Sequence, residues 1–534
     1  MPFDPHYYPY PSRRMATYGH RGMVATSQPM AAQAGMEMLK QGGNAVDAAI
    51  AMAAALTVVE PTANGIGGDA FALVWSEERL HGLNASGPSP QAISRDAVTA
   101  LGHEEMPALG LTPVTVPGAP AAWASLSERF GRLPFAALLA PAIAYAEQGY
   151  ALSPVAGLTW HQAWLRFSQS QGEAFTPWFE HFAPQGRAPR PGEVWRSADM
   201  AATLRAIAES RGEAFYRGEL AERIDAFMQR HGGFLRAADL AAFSPEWVEP
   251  VGVGYRGHEI WEIPPNGSGL VALQALGMLE ALGEPPRDPV ELLHRRIEAT
   301  KLAYADGLHY ISEPSAMDTG PAQLLDSRYL GARAALIGHD ALQPTYGNPH
   351  KGGTVYLAAA DADGNMVSFI QSNYEGFGSG MVVPGTGISL QNRGRSFSLD
   401  PGHVNALQPG KRPYHTIIPG FITRQGEAVG PFGVMGGFMQ PQGHVQVVTA
   451  MLDDGLNPQA ALDLPRWMWT RDTTVQVEPH FPDHLAQALT RRGHRIVKAS
   501  DSLLFGRGQI ILRDRHGSYC GGTEPRTDSL ILPW

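Results

Sequence analysis

A threonine at the start of a predicted strand is the residue of this sequence best placed for nucleophilic chemistry. Thr354 follows two glycines and opens the alternating run 354–360. A turn sequence, 361–365, and a second apolar run, 366–370, come next, so the pattern predicts a β-hairpin. A threonine in this position is most often only a good strand former. Its hydroxyl becomes an effective nucleophile when a general base lies beside it.

Composition and charge narrow the class of partner. The chain has 534 residues, of which 44% are hydrophobic and 17% charged, an ordinary globular balance. This length has room for about two to four domains. The formal net charge of −10 and the isoelectric point of about 6.0 disfavour nucleic acid and anionic membranes as partners, because both require a basic face. Cys520 is the only cysteine, so an internal disulfide and a cysteine-based metal site are excluded.

The sequence shows neither a membrane span nor a secretion signal. The longest apolar stretch, 48–59, is shorter than the roughly 20 residues that cross a bilayer. Residues 1–14 are rich in tyrosine and proline and lack the basic start and apolar core of a signal peptide. These features predict a soluble, cytoplasmic protein.

Two capping signals predict a pair of helices that support the hairpin. Ser27 is suited to cap a helix that ends at the glycine pair 42–43. Asn44 can cap the next helix, with Asp47 at its third position near the positive end of the helix dipole. Residues 48–56 are apolar nearly all round, so this second helix is expected to be buried.

A glycine-rich loop, 60–69, leads from that helix into a predicted strand, 70–75. Glycine loops cradle phosphate when a strand precedes them and a helix follows, whereas here the order is reversed, so tight backbone packing is the expected role. Residues 120–245 are predicted to be mainly helical, with an irregular aromatic segment at 160–195 that acts as a lid or an insertion. Further predictions are a β region at 250–265, helices at 269–283 and 294–310, and an exposed, turn-rich loop at 345–354.

Seven separated blocks of sequence, spread over nearly the whole chain, form an ordered set. They are Gly42 to Ala49, Gly65 to Asp69, Val116 to Gly118, Tyr255 to Gly257 with Pro264-Pro265, Thr354 with Asp361 to Asn365, Lys411 to Pro413, and Met435 to Gly437. In this order they resemble the γ-glutamyltranspeptidase family of N-terminal-nucleophile hydrolases. The resemblance implies a four-layer αββα sandwich that is made as a proenzyme and cleaves itself. Residues 1–353 would be the large subunit and residues 354–534 the small subunit of one αββα unit.

The resemblance also implies how Thr354 acts. In the precursor its hydroxyl attacks the carbonyl of Gly353, where glycine permits a strained backbone. Cleavage frees the Thr354 α-amino group, whose reference pKa of about 7.7–8.0 suits a general base near neutral pH. The hydroxyl then attacks a substrate amide and forms an acyl-enzyme. By resemblance, Ser372 hydrogen-bonds the nucleophile, and the backbone N–H groups of Gly436 and Gly437 stabilise the oxyanion.

The substrate-binding positions depart from the pattern of the glutamyl-specific members. Ser86 stands where those members carry an arginine for the α-carboxylate, and Ser396 stands where they carry an acid for the α-amino group. Arg393 replaces a glutamine and would repel a substrate ammonium. The other predicted substrate-binding residues are Tyr374, in place of an asparagine, and His415 with Thr416, in place of paired serines.

Arg393 therefore indicates an acidic substrate without an α-amino group, unless it makes only a structural salt bridge. The segment 373–394 resembles the branch of the family that contains oxamate amidohydrolase. The prediction is an amidohydrolase that acts on a small carboxylate-bearing amide, with oxamate as a candidate and water as the acyl acceptor. Two alternatives stay open: a γ-glutamyltransferase or glutathione hydrolase with a rearranged pocket, and an uncleaved, non-enzymatic relative. Retention of Gly353 with Thr354 argues against the last.

Neither a cofactor nor a metal is expected. His294 and Glu298 share one face of a predicted helix, but they lack the spacing of a zinc peptidase. A structural hydrogen bond or salt link is the predicted role of these two residues.

Overall fold

Two seven-stranded antiparallel sheets form the centre of the computed structural model, which describes residue 4 and residues 14–170, 172–344 and 353–534. The first, here named the hairpin sheet, consists in spatial order of the strands Leu530–Pro533, Gly22–Thr26, Gly353–Asp361, Met366–Tyr374, Asp69–Ser76, Arg79–Ala85 and Glu246–Val248. The opposite sheet consists in order of Thr17–Gly19, Tyr519–Thr523, Arg507–Arg513, Glu427–Met435, Gly420–Arg424, His258–Glu262 and Val251–Tyr255. Smaller sheets pair Tyr150–Ala151 with Val194–Trp195, Val382–Val383 with Ile388–Ser389, and Trp467–Arg471 with Thr474–Val477 and Arg495–Lys498.

Helices surround the two sheets. In residues 14–344 they are Pro29–Lys40, Ala45–Val59, Arg95–Ala100, Ala119–Phe130, Phe135–Gln148, Pro154–Phe167, Thr176–Phe182, Ala198–Ser210, Glu213–Arg217, Glu219–Arg230, Ala237–Ala242, Gly269–Ala281, Pro289–Tyr310, Pro321–Leu324 and Ser327–Ala334. After residue 353 they are Met439–Leu452, Pro458–Asp463 and Asp483–Arg491. Short 3₁₀ turns occupy Glu173–Phe175, Pro314–Ala316 and Arg393–Ser396. In the described residues, no helix combines the length and apolar character required to cross a bilayer.

The predicted hairpin is confirmed. Gly353–Asp361 pairs antiparallel with Met366–Tyr374, and the turn between them is closed by the N–H of Asp361, which donates to the carbonyl of Asn365 at 3.1 Å. Gly364 in this turn has a φ of +87°, a conformation that favours glycine. Both strands lie in the middle of the hairpin sheet, and the start of the first strand is paired with the second hairpin strand, whereas Gly22–Thr26 pairs only with Leu357–Asp361.

The two sheets pack face to face, and helices cover their outer faces. Ala45–Val59 lies on the hairpin sheet, and every residue of this helix is buried, as its all-round apolar character predicts. Gly269–Ala281 and Met439–Leu452 cover the opposite sheet. This is the four-layer αββα sandwich expected from the sequence.

One of the two predicted helix caps is confirmed and the other is wrong by one residue. The Asn44 side chain accepts hydrogen bonds from the N–H groups of Val46 and Asp47 at 3.0 Å each, and Asp47 completes a capping box. The first helix is instead capped at Gln28, because Pro29 takes the first helical position, where its missing N–H is no loss. The Ser27 hydroxyl donates to a buried carboxylate of the glycine-rich loop.

The aromatic segment 160–195 is helical in part, because it contains the end of Pro154–Phe167 and the helix Thr176–Phe182. Residues 183–193 lie outside helices and strands, which agrees with the irregular structure expected. Trp160, Trp178 and Phe182 surround Phe377 with ring centroids 5.4, 5.3 and 4.6 Å away. Phe377 is fully buried and belongs to the loop that follows the second hairpin strand. The segment therefore packs against the loop that follows the hairpin, and its role as a lid or an insertion stays a prediction.

Both sheets are built from chain on either side of the predicted cleavage point. The hairpin sheet takes Gly22–Thr26 and Asp69–Ser76 from before residue 353, and places the hairpin between them. The opposite sheet likewise combines strands from both parts. The β region predicted at 250–265 and the helices predicted at 269–283 and 294–310 are all confirmed. Residues 345–352 of the loop predicted at 345–354 lie outside the described residues.

Candidate functional site

Thr354 lies at the start of the first hairpin strand, where the ladder is irregular. The register shifts between Gly353 and Val355, so that two residues of the second strand, Ser372 and Asn373, lie opposite Thr354. Its side chain is 1% exposed, and its hydroxyl donates to Ser372 Oγ at 3.1 Å. The same oxygen accepts a hydrogen bond from Gln440 Nε2 at 3.3 Å. The hydroxyl is therefore oriented from two sides before any substrate is considered.

Ser372 connects this hydroxyl to a buried arginine. Its Oγ accepts hydrogen bonds from the N–H of Tyr374 at 2.7 Å and from Arg393 Nη2 at 3.3 Å. Ser372 and Thr354 lie on adjacent strands of the hairpin, so the hairpin itself brings the two hydroxyls together. The structure thus places Ser372 beside Thr354, where the resemblance requires it.

Arg393 is a fully buried cation. Its Nη1 donates to Thr416 Oγ1 at 2.8 Å, and its guanidinium carbon lies 4.2 Å from the centre of the Tyr374 ring. Within the described ranges, no carboxylate lies within 4.0 Å of this guanidinium, and its Nε has no hydrogen-bond partner. Burial lowers the pKa of Arg393 to about 10, so the group stays protonated at neutral pH. The salt bridge weighed as its alternative role is not formed by any described residue.

His415 faces away from these groups, towards Asp69. Its Nε2 lies 3.0 Å from Asp69 Oδ2, and both side chains are completely buried. Burial raises the pKa of Asp69 to about 7, although the charge of Arg393 opposes this rise. Burial also lowers the pKa of His415 well below its usual value, and Arg393 acts in the same direction. The charge of Arg393 therefore acts on both members of this buried pair, and contact of His415 with substrate stays a prediction.

Gly436 and Gly437 form the turn between a strand and the helix Met439–Leu452. Their φ values are +139° and +60°, which favour glycine, and a Cβ on Gly436 would lie 3.0 Å from the backbone of Gly506. The N-terminal end of a helix carries partial positive charge, so this turn is suited to stabilise an anion. Gln440, in the first turn of the helix, is the residue that reaches Thr354.

Two cavities flank the site. The larger, of about 1100 Å³, is lined in part by Tyr374, Ser396 and Phe438. The smaller, of about 660 Å³, is lined in part by Glu375, Gly436 and Phe438. Phe438 contributes to both, so the two cavities approach each other at the glycine turn.

An ion cluster separates the two cavities. Glu375 Oε2 lies 2.5 Å from Nη2 of Arg166, which precedes the predicted cleavage point. Glu375 Oε1 lies 3.2 Å from Nε of Arg395, which follows that point. Arg166 lines the smaller cavity and Arg395 lines the larger one. The cluster therefore fixes the loop after Tyr374 between the two openings.

Ser86 does not supply a replacement for the arginine of glutamyl-specific enzymes. It is fully buried, and its hydroxyl lies 2.7 Å from Asn84 Oδ1 and 3.2 Å from Asn266 Oδ1. Arg393, by contrast, is a buried cation that Ser372 links to the predicted nucleophile through two hydrogen bonds.

The group of residues with metal-ligand geometry in the described part of the chain is His294, Glu298 and His494, whose ligand atoms lie within 4.8 Å of one another. Lys301 Nζ lies 2.7 Å from Glu298 Oε1, and His294 Nδ1 lies 2.9 Å from His494 Nε2. An ammonium thus already occupies the position beside the carboxylate, which disfavours a metal cation there. As predicted, His294 and Glu298 each make a structural contact. His294 contacts His494 and Glu298 contacts Lys301, so the two residues are not partners of each other.

Sequence reasoning missed two contributors to the site. Gln440 is a polar residue that closely follows the glycine pair in a buried helix. Its polarity at a buried position is the sequence signal that could have indicated a role in the site. The contact of Asp69 with His415 joins positions 346 residues apart, and no local pattern indicates it.

The chain is similar to known proteins over almost its entire length. The sequence model of the family described as Gamma-glutamyltranspeptidase matches residues 31–534. The glutathione hydrolase-like YwrD proenzyme of Bacillus subtilis (strain 168) is 37% identical over 528 residues, with 96% of this chain and 98% of that protein covered. The oxamate amidohydrolase proenzyme of Klebsiella pneumoniae is 35% identical over 521 residues, which cover 95% of this chain and 97% of that protein.

A solved structure shares both the fold and much of the sequence. It is described as a cephalosporin acylase from Bacillus halodurans, and it is 60% identical to this chain. The TM-score is 0.97, and the match covers 100% of this chain and 99% of that one. The layers, the hairpin and the glycine turn described above therefore belong to a fold already seen in an acylase.

Proposed function

The chain belongs to the γ-glutamyltranspeptidase family of amide hydrolases, and we propose that it is a self-cleaving amidohydrolase whose nucleophile is Thr354. The observation that carries this proposal is the pair of hydrogen bonds on the Thr354 hydroxyl, at 3.1 Å to Ser372 and 3.3 Å from Gln440. These contacts orient one oxygen at the start of a strand and next to a glycine turn. The names of the relatives, all proenzymes or acylases, support the same chemistry.

Processing uses the same oxygen as turnover. Thr354 Oγ attacks the carbonyl carbon of Gly353, the C–N bond breaks, and the resulting ester is opened by water. The products are a new carboxylate on Gly353 and a free α-amino group on Thr354. That amino group has a pKa suited to accept the hydroxyl proton near neutral pH, so the general base exists only after cleavage.

Turnover then follows an acyl-enzyme route. The Thr354 hydroxyl gives its proton to the α-amino group and attacks the substrate carbonyl, whose oxygen becomes negative. The N–H groups of Gly436 and Gly437 stabilise this oxygen. The proton passes to the leaving nitrogen as the C–N bond breaks, and water then releases the acyl group from Thr354.

The acyl half of the substrate carries a carboxylate, which Arg393 binds. Arg393 is buried, charged and without an acidic partner in the described residues, and two planar N–H groups of a guanidinium suit a carboxylate. Ser372 hydrogen-bonds both Arg393 and Thr354, so the cation lies only two hydrogen bonds from the nucleophile. This short separation favours an acyl group of few carbons, with oxamate as the smallest candidate. Thr354 and Arg393 are both covered in the single chain, and we propose that cleavage uncovers them.

The experiment is a substrate panel on the purified protein. Oxamate, a glutaryl amide and γ-glutamyl anilide are compared, and the smaller fragment is sequenced from its N-terminus. We expect a fragment that begins Thr-Val-Tyr-Leu-Ala and turnover of at least one amide without an α-amino group. Efficient turnover of γ-glutamyl anilide alone would instead support the glutathione hydrolase alternative, and a single intact chain without activity would support the non-enzymatic one.

A further inference from the structure

The smaller cavity has an apolar floor. Met439, Met468, Trp469, Leu503 and Leu504 line it. Trp469 is 1% exposed, and its ring nitrogen donates to the carbonyl of Asp472 at 2.9 Å, so the indole is held in place. Leu504 is 39% exposed at the opening. A fixed aromatic floor with a flexible aliphatic rim suits a flat apolar group.

The charges around this cavity are predominantly positive. Arg507 pairs with Glu60 at 3.1 Å behind the lining, and Arg166 pairs with Glu375 at 2.5 Å. Arg471, at the end of the strand Trp467–Arg471, also lines the cavity and is exposed. In the part of the chain that the structure describes, no carboxylate pairs with Arg471. An anionic group at the mouth would therefore meet an uncompensated guanidinium.

The position of the cavity relates it to one half of a bound amide. It reaches Gly436, where the proposed oxyanion would lie, whereas Tyr374 and Ser396, on the side of Arg393, line the larger cavity. An amide with its carbonyl at Gly436 and its acyl carboxylate at Arg393 points its nitrogen away from Arg393. The smaller cavity is the space available to the group on the amide nitrogen.

We infer that the smaller cavity binds the amine half of the substrate, and that this amine has an apolar or aromatic body bearing a carboxylate. The inference rests on the proposed function. When the bond from Thr354 Oγ to the acyl carbon forms, the C–N bond breaks and the nitrogen takes the proton held by the α-amino group. The neutral amine then leaves from this cavity, while its carboxylate is held near Arg471. A primary amide such as oxamate leaves the cavity unfilled.

The test compares leaving groups on one acyl group. Oxalyl and glutaryl amides are made with ammonia, aniline and 3-aminobenzoate, and kcat/KM is measured for the parent and for two variants. Leu504→Asp places a negative charge at the rim and should lower kcat/KM on the 3-aminobenzoate amide about tenfold more than on the ammonia amide. Arg471→Gln should cost about 2- to 5-fold more on the carboxylated anilide than on the plain anilide. Arg424→Gln removes an exposed arginine outside both cavities and is the matched control.

Two further measurements separate this inference from the proposed function. All three amides of one acid give the same acyl-enzyme, so its hydrolysis rate in a single turnover should be unchanged by Leu504→Asp. Binding of free 3-aminobenzoate, measured by calorimetry, should exceed binding of aniline and weaken in both variants, whether or not any amide is turned over. If the variants affect all leaving groups equally, or leave 3-aminobenzoate binding unchanged, the cavity is not the amine site. If binding follows the expectation and no amide reacts, the proposed function alone is wrong.

Discussion

The surroundings of Thr354 and those of Arg393 are neighbours joined by Ser372, yet they differ in how complete they are. The Thr354 hydroxyl has a hydrogen-bond acceptor on one side and a donor on the other. Arg393 is buried with an unpaired Nε and no described carboxylate within ion-pairing distance. Burying an uncompensated charge is costly, so such a group persists where a ligand completes it. Under the proposed function, the first region supplies the nucleophile, and the substrate carboxylate completes the second.

The most severe way to break the first region is Thr354→Ala. Because one hydroxyl serves both processing and turnover in the proposed mechanism, we expect an uncleaved chain and a loss of at least about 10⁴-fold in kcat. Thr354→Ser keeps a hydroxyl and should retain part of both. Gel electrophoresis and an amidase assay on the three proteins check this, and cleavage or parental activity in the alanine variant would contradict the assignment of the nucleophile.

Asp69→Asn tests whether the buried pair of Asp69 and His415 carries a proton. The pKa of Asp69 is about 7 in the fold and near the ordinary 3.8 when unfolded. Between these values the folded protein holds a proton that the unfolded chain has lost, so the contribution of Asp69 to stability is present at pH 4 and lost as pH rises through 7. Relative to the variant, the parent should lose up to about 4 kcal/mol of unfolding free energy across this range.

Urea denaturation of both proteins at pH 4.5, 6 and 8 measures this difference. Asp400→Asn, a change at an exposed carboxylate, is the control and should show no such trend. A parent-to-variant difference that stays constant with pH would mean that Asp69 is ionised throughout.

Arg393→Ala sharpens the contrast between the two regions, since it removes the proposed specificity element and leaves Thr354 in place. Losing a charge-assisted contact to the substrate carboxylate should cost about 2–4 kcal/mol, or about 30- to 1,000-fold in kcat/KM. Cleavage should survive, and the uncharged analogue of the substrate should lose much less. An equal fall on both substrates would make Arg393 a purely structural residue.

Gln440→Leu is expected to have the smallest effect. The Gln440 side chain donates to Thr354 Oγ1 and accepts from the N–H of Ile418 at 3.0 Å, so its loss should loosen the nucleophile. We expect a fall of about 5- to 30-fold in kcat with little change in KM. Gln446→Leu, further along the same helix and bonded to carbonyls, is the matched control. Similar losses in both variants would indicate damage to the helix alone.

Local patterns predicted the parts of the molecule that local chemistry determines. The hairpin around Gly364 and the cap at Asn44 each depend on a few consecutive residues, and both are confirmed. Ser27 has the better capping side chain. Pro29 nevertheless takes the first helical position, so the N-cap position falls on Gln28. Contacts between distant segments, such as Asp69 with His415, depend on the assembled layers and could not be predicted from spacing.

Both sheets combine strands from before and after the predicted cleavage point, and this affects how the protein unfolds. Before cleavage, unfolding is a unimolecular event that can reverse along one chain. If the bond before Thr354 is cut, as we propose, each segment lacks the neighbours on which its central strands depend, and renaturation requires two polypeptides to find each other. Recovery would then depend on concentration, so a cleaved protein would persist through slow unfolding rather than through a reversible equilibrium.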